Sequence, residues 1–298
     1  MDDAGHALRC PVFIVVLAVA ISVAASARAK DPIPVETLWH IQAIEVAAGA
    51  PWQLYLATHQ GIFLAGEDGF AERLSANGDD FRSLARRPGA GNVFYGGVST
   101  PAGTNRGLMV SKDGAKTWSI LSRVADPSVT FATLSISPAD PDVLYGAGSS
   151  FHVSRDGGRS WSLGAMPADR IFDLAASSMR SEVVYAATST GLWRSEDAGG
   201  SWQPIFAASA ATTMVHVTPR AMIYSFVVGQ GLVRAEEPSL EWTTLHKEFG
   251  RYVVRHMAVD PAAANRLFAV TDNSEVLTSE DGGSAWAALH SRYIDAQP

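Results

Sequence analysis

Ser154-Arg155-Asp156-Gly157-Gly158-Arg159-Ser160-Trp161 is the cleanest copy of an octapeptide that returns along this chain. Ser195-Glu196-Asp197-Ala198-Gly199-Gly200-Ser201-Trp202 matches it. Ser111-Lys112-Asp113-Gly114-Ala115-Lys116-Thr117-Trp118 has alanine for the second glycine, and Ser279-Glu280-Asp281-Gly282-Gly283-Ser284-Ala285-Trp286 has alanine for the hydroxyl residue. The motif serines are 43, 41 and 84 residues apart, so a worn copy belongs in the double gap. Ala235-Glu236-Glu237-Pro238-Ser239-Leu240-Glu241-Trp242 occupies it and keeps the tryptophan; Gly66-Glu67-Asp68-Gly69 is a further worn copy ahead of Ser111. Six units of about 40–45 residues cover nearly the whole chain, and a period in that range means a propeller or a solenoid.

One unit shows what the repeat builds. Phe131-Ala132-Thr133-Leu134-Ser135-Ile136 alternates apolar with small or polar residues, the pattern of a strand. Ser137-Pro138-Ala139-Asp140-Pro141-Asp142 is a turn, because proline presets φ and aspartate bonds back to nearby amides. Val143–Ala147, Phe151–Ser154 and Ser160–Leu163 read as the second, third and fourth strands, with Asp156-Gly157-Gly158 as the last hairpin turn. The expectation is all-β: a six-bladed β-propeller of four-stranded antiparallel blades, preceded by an N-terminal signal helix. In the motif, glycine permits positive φ and the carboxylate accepts turn amides, at about 1 kcal/mol net per bond. The tryptophan is the large term: full burial of about 200 Å² would contribute roughly 4–5 kcal/mol. Trp118, Trp161, Trp202, Trp242 and Trp286 are therefore expected as wedges between blades, with Trp39 and Trp52 as candidates for the blade that lacks one.

The chain has 298 residues, 47% apolar and 18% charged, with a net charge of −7 and no basic run, which disfavours nucleic acid as a partner. Residues 10–25 are an unbroken stretch of apolar and small residues, followed by Ala27-Arg28-Ala29. That pattern predicts a secretory signal, residues 1–29, cut after Ala29, and hence a periplasmic or extracellular protein. If it stays uncleaved, residues 10–25 would anchor the chain to a membrane. Cys10 is the single cysteine, so the cleaved chain has no disulfide and no thiolate site. The propeller is expected over residues 36–291, followed by a short tail, 292–298.

The four clear octapeptides resemble the Asp-box, or BNR, repeat of sialidase-like β-propellers. Broader similarity extends to photosystem II assembly-factor-like propellers and to exported bacterial BNR-type glycosyl hydrolases, the latter through Ala57-Thr58-His59-Gln60-Gly61-Ile62-Phe63 and Asn105–Gly114. The resemblance implies that Asp113, Trp118, Asp156, Trp161, Asp197, Trp202, Asp281 and Trp286 are structural and sit on the rim, away from the catalytic face.

A sialidase active site would also need an Arg-Ile-Pro motif, which is absent, two further arginines, and a tyrosine nucleophile assisted by glutamate. Arg82 and Arg255 fall on innermost strands, Arg170 and Arg251 at the entries to such strands, and Tyr252 with Glu248 is the one tyrosine–glutamate pair to nominate. Another glycosidase would need two carboxylates across a bond; Asp79, Asp80, Asp169, Asp173 and Asp272 are the acids expected on the loop face, with Asp173 turned to the central channel. The catalytic candidates are thus Asp173, Arg82, Arg255 and Tyr252. The histidines are scattered without metal-ligand spacing, so neither a metal nor a cofactor is expected. The Ser99–Arg106 stretch lengthens one loop, and His59, Asn105, Arg106, Gln230 and Asn273 are expected to share that loop face. The two readings that follow are a binding or assembly scaffold holding a protein or glycan on that face, and a glycoside hydrolase.

Overall fold

A computed structural model describes residues 32–289 apart from 51, 77, 124–129, 169, 207–208 and 248. Six antiparallel sheets follow one another along the chain, each built from consecutive strands. Blade 1 is Ile41–Val46, Leu54–Thr58, Gly61–Ala65 and Phe70–Arg73. Blade 2 has its innermost strand split into Asp80–Phe81 and Ala85–Arg86, followed by Phe94–Ser99, Asn105–Ser111 and Ser119–Ser122. The unit first read from the sequence is blade 3, with Thr133–Ile136, Leu144–Ala147, Phe151–Ser154 and Ser162–Leu163. Blade 4 begins with Ile171–Ala176, blade 5 with Thr212–Val217 and blade 6 with Val254–Val259. The expected signal segment and C-terminal tail lie outside the described residues. Among the described residues no helix is long and apolar enough to cross a membrane.

Among the described residues the ring closes without exchanging a strand between the first and last blades. Instead Ile33–Pro34 pairs antiparallel with Phe70–Arg73 as a fifth, outer strand of blade 1. The 3-10 turn that follows, Val35–Thr37, drives Val35 and Leu38 into a core shared by Ile44 and Leu56 of blade 1 and Ala258, Phe268 and Val276 of blade 6. Apolar burial at this seam replaces the hydrogen-bonded ladder that an exchanged strand would supply.

The tryptophans do pack at blade interfaces. Trp161 lies on Phe131, ring centroids 4.4 Å apart, and its Nε1 donates to Ser122 Oγ of blade 2 at 3.1 Å. Trp202 lies edge-on to Phe151 and donates to the Ala165 carbonyl of blade 3. Trp118, Trp242 and Trp286 pack against clusters that combine their own blade with the preceding one. Trp52 fills the place between blades 6 and 1, against Phe268 and under the Arg266 guanidinium. Two expectations need correction. All five motif tryptophans are half-buried rather than fully buried, because the rim leaves one ring edge wet, so the full-burial energy is an overestimate. Trp39 fills no gap: it is 74% exposed.

Each motif turn is a closed hydrogen-bond unit. Asp156 Oδ1 accepts from Ser154 Oγ and from the amides of Arg159 and Ser160, while Oδ2 accepts from Ser160 Oγ at 2.6 Å. Asp113 and Asp197 make the same set with Thr117 and Ser201. These bonds stabilise the charged form and hold all three carboxyls down to about 2. At Asp281 alanine stands in the hydroxyl position, so Oδ1 collects amides and Oδ2 receives no hydroxyl; that pKa is lowered by the Ala285 amide first and then Ser279. Two alanines replace glycine at positive φ, Ala115 at 67° and Ala198 at 57°, and both methyl groups are buried.

Candidate functional site

The innermost strands of neighbouring blades face each other without a backbone ladder, so their edge amides need other acceptors. Side chains from the preceding blade supply them. Ser135 Oγ accepts Ala176 N–H at 2.8 Å, and Thr133 Oγ1 accepts Leu174 N–H at 3.2 Å. Asp173 Oδ2 accepts Val215 N–H at 3.1 Å, and Ser274 Oγ accepts Ile41 N–H at 3.2 Å. Ser83 and Thr213 donate onward, to the carbonyls of Phe131 and Val254. Asp173 is the most connected member: its Oδ1 also accepts from Thr133 Oγ1 and from its own neighbour Leu174 N. Burial nevertheless pushes its pKa up to about 7, outweighing those bonds and the nearby Arg255 charge. The bonds therefore place Asp173 as a link joining blades 3, 4 and 5.

Above this tier the inner strands carry a bulge at the same place in four blades. The register skips one residue between Ile41 and Ala43, Ile171 and Asp173, Thr212 and Met214, and Val254 and His256. The extra residues are Gln42, Phe172, Thr213 and Arg255, and a bulge re-aims the side chain it carries. Gln42, Phe172 and Arg255 fall on the face made by the blade-to-blade connections and the hairpins between second and third strands, whereas Thr213 is buried in the tier below, on the Val254 carbonyl. Phe172 is the focus: the Arg170 guanidinium lies over its ring at 5.1 Å and that of Arg255, from blade 6, at 5.7 Å. Arg251 lies over Tyr252 at 5.5 Å. None of these three arginines has a carboxylate partner among the described residues.

The other sequence candidates form a second group at blades 1 and 2. Asp80 Oδ2 accepts from Arg82 Nε at 2.7 Å and its Oδ1 lies 2.5 Å from His59 Nδ1, while the adjacent Asp79 turns to Arg106 at 3.0 Å. The two carboxylates point to different partners, as successive strand residues do. His59 Nε2 meets the Gln42 amide at 3.1 Å, and His40, at a positive φ of 53°, lies edge-on to the same ring. Tyr252 and Asn273 line a smaller cavity of about 270 Å³ beside Val35 and Glu275. Asn105 accepts the Gly107 amide within its own hairpin, and Gln230 sits in a hairpin turn apart from both groups. Asp169 and Glu248 lie outside the described residues. The structure thus brings His59, Arg82 and Arg106 together through Asp79 and Asp80, and Arg255 close to Asp173. Phe172 was missed; the break in apolar–polar alternation at Ile171-Phe172-Asp173 is the trace a bulge leaves in a sequence.

With this geometry in view, no protein-family model matches the chain, and no curated protein matches it. Solved structures do. A GH74 enzyme of Niastella koreensis superposes with a TM-score of 0.63 at 16% identity over 84% of this chain and 45% of that one. The GH74 xyloglucanase of Xanthomonas campestris gives 0.58 at 18% identity, again over 84% and 45%. YCF48 bound to D1 peptide gives 0.54 at 16% identity over 87% of this chain and 84% of that one. The chain therefore shares the β-propeller fold of these structures. It spans less than half the length of the two enzymes but most of the length of the peptide-bound protein.

Proposed function

We propose that this chain is an exported binding propeller that holds a protein segment across its loop face, the ligand's carboxylates lying on Arg170, Arg255 and Arg251 and its apolar groups on Phe172 and Tyr252. One observation carries the reading: guanidinium groups stacked on two aromatic faces at the channel mouth, without carboxylate partners among the described residues. A stacked guanidinium keeps its N–H fork free for bidentate binding of a carboxylate. The near full-length likeness to a propeller solved with a bound peptide supports a protein ligand over a glycan. The Asp79 and Asp80 carboxylates, each already held by cationic partners, give the glycosidase reading no comparable support.

The test is fluorescence polarisation with labelled acidic peptides against the wild-type chain and an Arg170→Glu, Arg255→Glu double variant. Binding lost in a variant with an unchanged melt is the expected outcome; equal binding by both proteins would sink the proposal. Export is part of the reading and rests on the apolar stretch at 10–25 and Ala27-Arg28-Ala29. It is checked by amino-terminal sequencing of protein recovered from outside the cytoplasm, expected to begin at Lys30.

A further inference from the structure

The channel mouth repeats one strand position around the ring. The second strands of blades 2, 4 and 6 pair a large aromatic residue with the inner strand: Tyr95 with Ala85, Tyr185 with Ala175 and Phe268 with Ala258. Three residues ahead of those partners in the chain stand Arg82, Phe172 and Arg255. Blade 2 carries the same bulge as the others: from Phe81 to Ala85 its inner strand takes four steps, while the paired strand takes three, from Val98 to Tyr95. Arg255 and Phe172 meet past blade 5, whose equivalent residue, Thr213, is buried. Arg82 stands on blade 2, the blade opposite in a ring of six.

Arg82 is held differently from the stacked arginines. Its Nε donates to Asp80 Oδ2 at 2.7 Å, and the Asp80 side chain is only 9% exposed. The other Asp80 oxygen lies 2.5 Å from His59 Nδ1, so one buried carboxylate fixes the imidazole and the guanidinium together. The two terminal nitrogens of Arg82 have no hydrogen-bond or ion-pair partner among the described residues, and 43% of its side chain is exposed. A guanidinium anchored through Nε presents its terminal N–H pair in a fixed direction, the geometry that takes a carboxylate bidentately. Gln42, on blade 1 between blades 2 and 6, holds its amide nitrogen 3.1 Å from His59 Nε2. Its amide oxygen has no partner among the described residues and is free to accept a peptide N–H.

We infer that Arg82 is a second carboxylate site on the loop face, and that the bound segment carries two acidic groups, one on Arg170 and Arg255 and the other on Arg82, with the chain between them crossing the channel past Gln42. The inference rests on the peptide-binding reading above and adds to it a requirement for two separated acids. If Arg82 served Asp80 alone, the segment would be indifferent to a second acid, and that difference is measurable. The second carboxylate has two sources, an acidic side chain or a chain terminus.

Fluorescence polarisation with the full chain compares labelled peptides bearing one glutamate and one glutamine, or two glutamates, at increasing separation, each with a free or an amidated carboxyl terminus. A two-acid peptide of one separation is expected to bind at least about tenfold tighter than its glutamate–glutamine counterpart, the gain of one charge-assisted contact. An advantage that survives amidation assigns the site to a side chain, and tight binding seen only with the free terminus assigns it to a chain end; both support the inference. Arg82→Gln is expected to remove the advantage. Arg82→Lys keeps a cation beside Asp80 without the fork and should reduce the advantage with an unchanged melt, so the inference remains testable if Arg82→Gln destabilises the protein. Suppose one-acid peptides bind and the Arg170→Glu, Arg255→Glu variant abolishes that binding. No gain from a second acid at any separation, or a gain unchanged in both Arg82 variants, then overturns this inference and leaves the peptide-binding reading standing. Binding of no acidic peptide overturns both.

Discussion

Replacing Asp173 with asparagine separates two energies that this residue combines. The wild-type carboxyl accepts Thr133 Oγ1 and Leu174 N on one oxygen and Val215 N on the other. Asparagine keeps the shape but offers a single acceptor oxygen, so the Val215 amide loses its partner in the wall between blades. An unsatisfied buried amide costs about 1–3 kcal/mol. The opposing energy depends on pH. Burial raises the folded pKa of Asp173 to about 7 from 3.8. An acid whose folded pKa exceeds its unfolded value binds its proton more tightly in the fold, so that stability is fully present below the unfolded value. It is lost as pH rises from about 4 to about 7, amounting to at most about 4 kcal/mol at 1.4 kcal/mol per pH unit. Asparagine has no such proton. The variant should therefore be less stable than wild type near pH 5, with the difference shrinking or reversing by about pH 8. Urea unfolding followed by tryptophan fluorescence across that range measures it. Burial holds His216 and His256 neutral in both proteins, so they cancel in the difference. A stability gap that stays constant or widens between those pH values would refute the placement of Asp173 as a buried inter-blade link.

Trp161→Ala removes a half-buried indole, its stack on Phe131 and its bond to Ser122 Oγ; the expected loss is about 3 kcal/mol, read as a lower denaturant midpoint. Ala285→Ser restores the missing hydroxyl of the last motif turn; it should raise the melting temperature and lower the Asp281 carboxyl further, followed by NMR titration, as the Ser160 and Ser201 hydroxyls do for Asp156 and Asp197. That added stability is present above the ordinary carboxylate pKa and is lost as pH falls through the lowered folded value. At Gly146 an added Cβ would meet the Phe131 ring at 2.5 Å, so Gly146→Ala should cost about 1–3 kcal/mol, checked by thermal unfolding.

The octapeptides, their spacing and the alternation of Phe131–Ile136 determined the blades, because turn chemistry and a two-residue period act within a few neighbouring residues. They located the motif aspartates and tryptophans, and the apolar stretch at 10–25 supplied the expectation of export. Three features were decided by the tertiary structure. Closure of the ring rests on Val35 and Leu38 reaching blade 6, a contact between residues at opposite ends of the chain. The arginine mouth depends on bulges that turn Phe172 and Arg255 toward each other from blades 4 and 6. Asp173 had been nominated for chemistry by its place on an innermost strand, yet its bonds run to Thr133 and Val215, each about a full repeat away. Local sequence reports what a residue does to its own backbone. Which groups meet around the channel follows from the angle at which six sheets pack, and that angle is set by cores the chain assembles only as the ring forms.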